Sequence, residues 1–86
     1  MRVHIKFVGK FHEEFRTEDV WLYLQNGVTM KELFEKLERE KSIKVNLQDS
    51  SMVVLVNGKR VEFVGGLSAV LRDLDEIVIM PIVAGG

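Results

Sequence analysis

The residues whose types and spacing best suit chemistry are the last six of the sequence, Pro81-Ile82-Val83-Ala84-Gly85-Gly86. Pro81 lacks an amide donor and is not expected to continue a central strand, so 81–86 reads as a flexible C-terminal tail. Extended, those residues reach at most ~20 Å, far enough to enter another protein's active site. The paired glycines have no Cβ, so they fit a narrow channel and adopt backbone angles closed to other residues. That leaves the α-carboxylate of Gly86 sterically bare. A carboxylate is inert until activated, for instance by attack on the α-phosphate of ATP to give an acyl-adenylate. Sulfide, a thiol or a lysine amine could then take the acyl group. The chain has no GxxxxGKS/T loop and no GxSxG elbow, so a partner must supply the ATP site. The competing explanation is a frayed end of small residues. Gly65-Gly66 is the internal contrast: it lies between structured segments and reads as a turn.

Other candidates are weaker. His4 lies on the polar side of an alternating segment and His12 in a connection. Without cysteine or an HxxxH spacing they read as surface residues, and no metal site is expected. Glu13-Glu14 and Asp75-Glu76 read as solvated faces or turns rather than general acids and bases. Lys59-Arg60 reads as a solubilising hairpin tip. Trp21 and Tyr23 would share one strand face, open to a partner or covered by residues 42–48 or by the first loop. Met80 and Ile82 lead into the tail and are candidates for docking with it.

Composition limits what must position these residues. The chain has 86 residues, 12 basic against 13 acidic side chains, a net charge of -1 and no cysteine. A chain this short buries only ~60–65% of its unfolded surface, which leaves room for a single domain over 1–86 and no second lobe to form a cleft. The apolar share of 47% and charged share of 29% belong to an ordinary soluble domain. Near-balanced charge argues against a nucleic-acid partner. The N-terminus lacks the apolar core of a signal peptide, and the longest apolar run, 77–84, is too short to cross a bilayer. A cytoplasmic protein with no membrane partner is expected.

Val3, Ile5 and Phe7 alternate with Arg2, His4 and Lys6, which predicts a half-buried strand. Val20, Leu22 and Leu24 repeat the pattern. Gly9 to Thr17 reads as a polar connection between two antiparallel strands. Asn26-Gly27 marks a turn. Thr29 and Glu32 form a capping box, and Met30, Leu33, Phe34 and Leu37 then build one apolar stripe, predicting a helix over 29–40. Residues 42–48 read as a short strand or an extended loop. Residues 52–56 read as a buried strand, Asn57-Gly58 as a hairpin turn, and 59–64 as the returning strand. Residues 67–71 read as a turn or a single helical turn, and 77–80 as the last strand. The order β-β-α-β-β-β with one helix on one sheet face is an α+β, β-grasp-like arrangement. The most apolar strand, the last, is expected in the middle beside the first, with both edges coming from internal hairpins.

The closing stretch resembles the ubiquitin-like sulfur carriers, and above all the molybdopterin synthase small subunits. That family ends roughly L-x-D-G-D-E-V, two or three apolar residues, P-P-V-x-G-G. Leu71, Asp73, Asp75, Glu76, Pro81, Val83, Gly85 and Gly86 match it, while Leu74 replaces the usual glycine and Ile82 the second proline. The resemblance spans the chain in order and length but is specific only over residues 71–86. It implies a β-grasp (ubiquitin-like) fold with a mixed sheet and one main helix. It also implies adenylation of Gly86 by an E1-like enzyme that uses ATP, then conversion to a thiocarboxylate. No cofactor would be bound by the carrier itself. In a molybdopterin synthase the tail would insert into the large subunit and donate sulfur to the pterin precursor. Relatives serve as carriers for thiamine or tRNA thiolation, or as protein modifiers joined through their terminal glycine.

Overall fold

A computed structural model of the chain describes Met1 to Ile82. The strands are β1 (Arg2–Phe7), β2 (Asp19–Tyr23), β3 (Met52–Val56), β4 (Lys59–Arg60) and β5 (Glu76–Pro81). They form one sheet in the order β2-β1-β5-β3-β4. β1 and β5 run parallel at its centre, and every other pairing is antiparallel. The helices are α1 (Lys10–Phe15) and α2 (Met30–Lys41). With α2 as the main helix against a mixed sheet, the architecture is a β-grasp. The last strand lies beside the first, and the edges are β2 and β4, in agreement with the expected arrangement.

The local reasons are visible in the sequence. Thr29 Oγ1 accepts from the Glu32 amide and Glu32 Oε1 from the Thr29 amide, both at 3.3 Å, which closes the capping box. Met30, Leu33, Phe34 and Leu37 of α2 are buried against Val3, Ile5 and Phe7 of β1 and Ile77 and Ile79 of β5. Asn57 and Gly58 both take positive φ, 51° and 86°, as the tight turn from β3 to β4 demands.

Three expectations need correction, and one open alternative is decided. Gly9 to Thr17 is not simply a polar connection: it contains α1, which places His12 on a helix. Phe11 and Phe15 lie one helical turn apart, and the stripe they form covers the end of the sheet, with Phe11 buried and Phe15 packed edge-on to Phe7 at 5.3 Å. Of the two forms open to residues 42–48, strand or extended loop, the structure takes the loop, anchored by buried Ile43. The returning strand stops at Arg60, because Val61 is 1% exposed and Phe63 81% exposed. A straight strand would put these two on one face. A 3-10 turn over Val61–Phe63 separates them instead.

The third correction concerns Pro81, which does continue the central strand. Its partner in β3 is Met52. The Ile82 amide donates to Ser51 O, and the Asn57 amide to Glu76 O, each at 2.8 Å. Even-numbered residues of β5 therefore carry the hydrogen bonds to β3, and the nitrogen of Pro81 points to the other flank. There β1 has already ended, so the missing N–H costs no ladder bond.

Candidate functional site

β5 divides the sheet's chemistry by parity. Ile77 and Ile79 are buried beneath α2, while Val78 and Met80 lie half-buried on the face that no helix covers. The register places Leu55 beside Val78 and Val53 beside Met80, and Lys6 on the other side of Val78. Arg60 is level with Leu55. The result is a half-buried apolar stripe of Val53, Leu55, Val78 and Met80, with cations at Lys6 and Arg60. This stripe leads directly to Ile82, whose side chain is 48% exposed.

At the end of the stripe the chain leaves the sheet between two flanks. On the β1 side Val8 N–H donates to Ile79 O at 2.9 Å. Gly9 follows, with φ 64°, and a Cβ there would lie 3.2 Å from Cγ of Pro81. The position thus suits glycine twice, for its left-handed φ and for the close approach of the proline ring. On the β3 side Ser51 O holds the Ile82 amide. Met80, Pro81 and Ile82 are together at this exit. Val83, Ala84, Gly85 and Gly86 lie outside the described residues.

Trp21 and Tyr23 occupy the same open face but not the same place. Their partners in β1 are His4 and Arg2, and His4 is level with Glu76, the first residue of β5. The aromatics therefore sit at the opposite end of β5 from the exit. Neither residues 42–48 nor the first connection covers them, and they are 47% and 68% exposed. The His4 ring stacks on Trp21 with centroids 4.5 Å apart, and its Nε2 lies 3.0 Å from Asp19 Oδ2.

The acids of the closing motif have structural work. Asp73 Oδ1 accepts from the Arg2 amide at 2.8 Å. Asp75 accepts from the Arg72 amide at 2.7 Å and from Asn57 Nδ2 at 2.8 Å. Asn57 Oδ1 accepts in return from the Glu76 amide at 2.9 Å. The carboxylates thus bind the corner before β5 to β1 and to the β3–β4 turn. Between them Leu74 takes φ 67°, the left-handed region its glycine counterpart would enter without strain. Among the described residues, no group of three His, Asp or Glu side chains could hold a metal ion.

The ThiS family model matches residues 5–86. The chain belongs to the ThiS family. Among solved structures it is similar to SAMP1 from Haloferax volcanii, with a TM-score of 0.77 at 19% identity over 100% of both chains. It is also similar to a putative molybdopterin converting factor subunit 1 from Pyrococcus furiosus, with a TM-score of 0.75 at 19% identity, covering 96% of this chain and 99% of that one. A third likeness is to a complex of subunits 1 and 2 of the molybdopterin-converting factor from Helicobacter pylori, with a TM-score of 0.66 at 23% identity over 100% of both chains. No curated protein matches the chain. This ThiS-family chain thus has the ubiquitin-like β-grasp fold.

For this member of the ThiS family, sequence reasoning missed Gly9 and Ser51, which flank the exit. The spacing of Phe11 and Phe15 was the available signal for the helix that begins beside Gly9. Nothing local marks Ser51, because its partner Ile82 is distant in the chain and the contact depends on the register of β3 with β5.

Proposed function

We propose that the protein is a sulfur carrier acting through the carboxylate of Gly86, as the small subunit of a molybdopterin synthase. The observation that carries this reading is the exit at Pro81-Ile82: the central strand β5 ends beside a half-buried apolar stripe, and the sequence continues Val-Ala-Gly-Gly. Family membership supports the chemistry, and the resemblance of residues 71–86 favours the molybdopterin branch. A carboxylate oxygen of Gly86 attacks the α-phosphorus of ATP on an E1-like enzyme, and pyrophosphate leaves. A sulfide nucleophile then attacks the acyl carbon and AMP leaves, giving the thiocarboxylate. The stripe of Val53, Leu55, Val78 and Met80 docks the carrier while the tail enters the large subunit, where sulfur passes to the pterin precursor. The carrier binds no cofactor of its own.

The test is intact mass after incubation with the cognate adenylating enzyme, ATP and a sulfur source. Replacement of one oxygen by sulfur is expected for the wild-type chain. It is not expected when Gly86 is deleted or when a residue is added after it. No exchange in the wild type would overturn the reading. Adding the large subunit and the pterin precursor should then discharge the thiocarboxylate. Discharge only with a thiazole-forming or tRNA-thiolating acceptor would reassign the pathway. Branched peptides carrying Ala84-Gly85-Gly86 on lysines would instead mark a protein modifier, a role the same tail can serve.

A further inference from the structure

Segments distant in sequence close around the exit. Gly9 packs against the Pro81 ring on one flank, and Ser51 O holds the Ile82 amide on the other. Lys10 then ties the flanks together, its Nζ donating to Ser51 Oγ at 2.8 Å. Ser51 Oγ donates in turn to Asp49 Oδ1 at 2.6 Å, and the same oxygen accepts the Ser51 amide at 2.9 Å. A hydroxyl has one hydrogen and two lone pairs, so Ser51 satisfies both partners at once. The relay runs from an ammonium to a carboxylate, which makes both of its side-chain bonds charge-assisted. Ser51 thus holds the tail root with its backbone and is itself held through its side chain.

We propose that Lys10, Ser51 and Asp49 form a clasp that fixes the direction in which the chain leaves the sheet at Ile82. It thereby aims the Gly85-Gly86 end at the activating enzyme's site. The functional half of this inference rests on the sulfur-carrier reading. The clasp residues are positioning residues, since none touches the reacting carbon. Displacements of even about 1 Å are costly to reactions that depend on alignment.

The experiment compares wild type with Lys10→Met, Lys10→Arg and Ser51→Ala. Amide hydrogen exchange is read at Ile82, with Val78 as the mid-strand control. ATP–pyrophosphate exchange by the cognate adenylating enzyme is read against carrier concentration. Lys10→Met and Ser51→Ala should each speed exchange at Ile82 and leave Val78 unchanged. Each should also lower kcat/KM for the carrier about three- to tenfold, the scale of one lost hydrogen bond, with the loss falling in kcat. Lys10→Arg should restore both readouts. Ser51→Ala keeps the cation, so its effect separates the clasp from a direct contact of Lys10 with the enzyme. Unchanged Ile82 protection in both variants overturns the clasp. Faster exchange at Ile82 with unchanged kcat/KM overturns its positioning role. If the wild-type carrier supports no ATP–pyrophosphate exchange, the sulfur-carrier reading and the aiming role fail together. Ile82 protection still decides whether the clasp holds the chain.

Discussion

The two ends of β5 are held in different ways. At its start, Asp73, Asp75 and Asn57 bind three separate stretches of backbone through side chains, and the corner itself is closed by Leu74 N–H donating to Arg2 O at 2.7 Å. At its finish, one backbone bond from Ile82 and the packing of Pro81 on Gly9 hold the strand, with the Lys10–Ser51–Asp49 relay around them. The start is a structural lock, and its loss should cost stability. On the proposed function the finish directs the tail, so its loss should cost alignment more than stability. The difference explains why the acids of the closing motif, Asp73 and Asp75, serve the fold.

The sharpest test of that division is Asp75→Ala. It strands the Arg72 amide and Asn57 Nδ2, and the second loss frees the side chain that holds the Glu76 amide. Loss of these bonds should cost about 1–3 kcal/mol, read as a lowered midpoint in urea at unchanged m-value. Ser51→Ala at the other end should move that midpoint by less. Equal losses at the two ends would break the comparison.

The sequence showed the start of β5 better than its finish, for a physical reason. The bond of Asp75 to the Arg72 amide, the Asn57-Gly58 turn and the capping box at Thr29 and Glu32 are local devices, whereas the bond of Asp73 to the Arg2 amide is as long-range as any at the finish. The central place of β5 followed from its unbroken apolar run. The finish depends on register. Pro81 looked like a strand breaker because its missing N–H matters only when it faces a neighbour, and which flank it faces is decided by the pairing of Met52 with Pro81. Likewise Val61 and Phe63 alternate like strand residues, and only the tertiary core shows that one turns inward and the other outward.

A smaller effect, opposite in sign, is expected at Leu74. Its φ of 67° costs an L-residue about 1–2 kcal/mol that glycine does not incur. Its side chain is 56% exposed, so little burial is forfeited. Against this, glycine widens the unfolded ensemble and gives back about 0.5–1 kcal/mol. Leu74→Gly should therefore stabilise the chain by up to about 1 kcal/mol, raising its thermal midpoint by a few degrees. A loss of stability would mean that Leu74 makes a contact worth more than its strain.

The smallest effect separates the two ends by pH. The Ser51 hydroxyl beside Asp49, then the Ser51 amide, hold its carboxyl below the ordinary value of 3.8, and the charge of Lys10 adds to the effect. The ionised form is the one that accepts both bonds. A carboxylate with a depressed folded pKa contributes its full stabilisation above the unfolded value and loses it as pH falls through the folded one. The clasp should therefore be intact at neutral pH and loosen only below about pH 3.8. Measured as amide protection at Ile82 relative to Val78, this loosening should appear on acidification in the wild type. It should be absent in Ser51→Ala, where Asp49 has lost the hydroxyl that depresses its pKa and Lys10 has lost its partner. If the relative protection at Ile82 fell in the same way in both proteins, the acid response would arise elsewhere and Asp49 would not be part of the clasp.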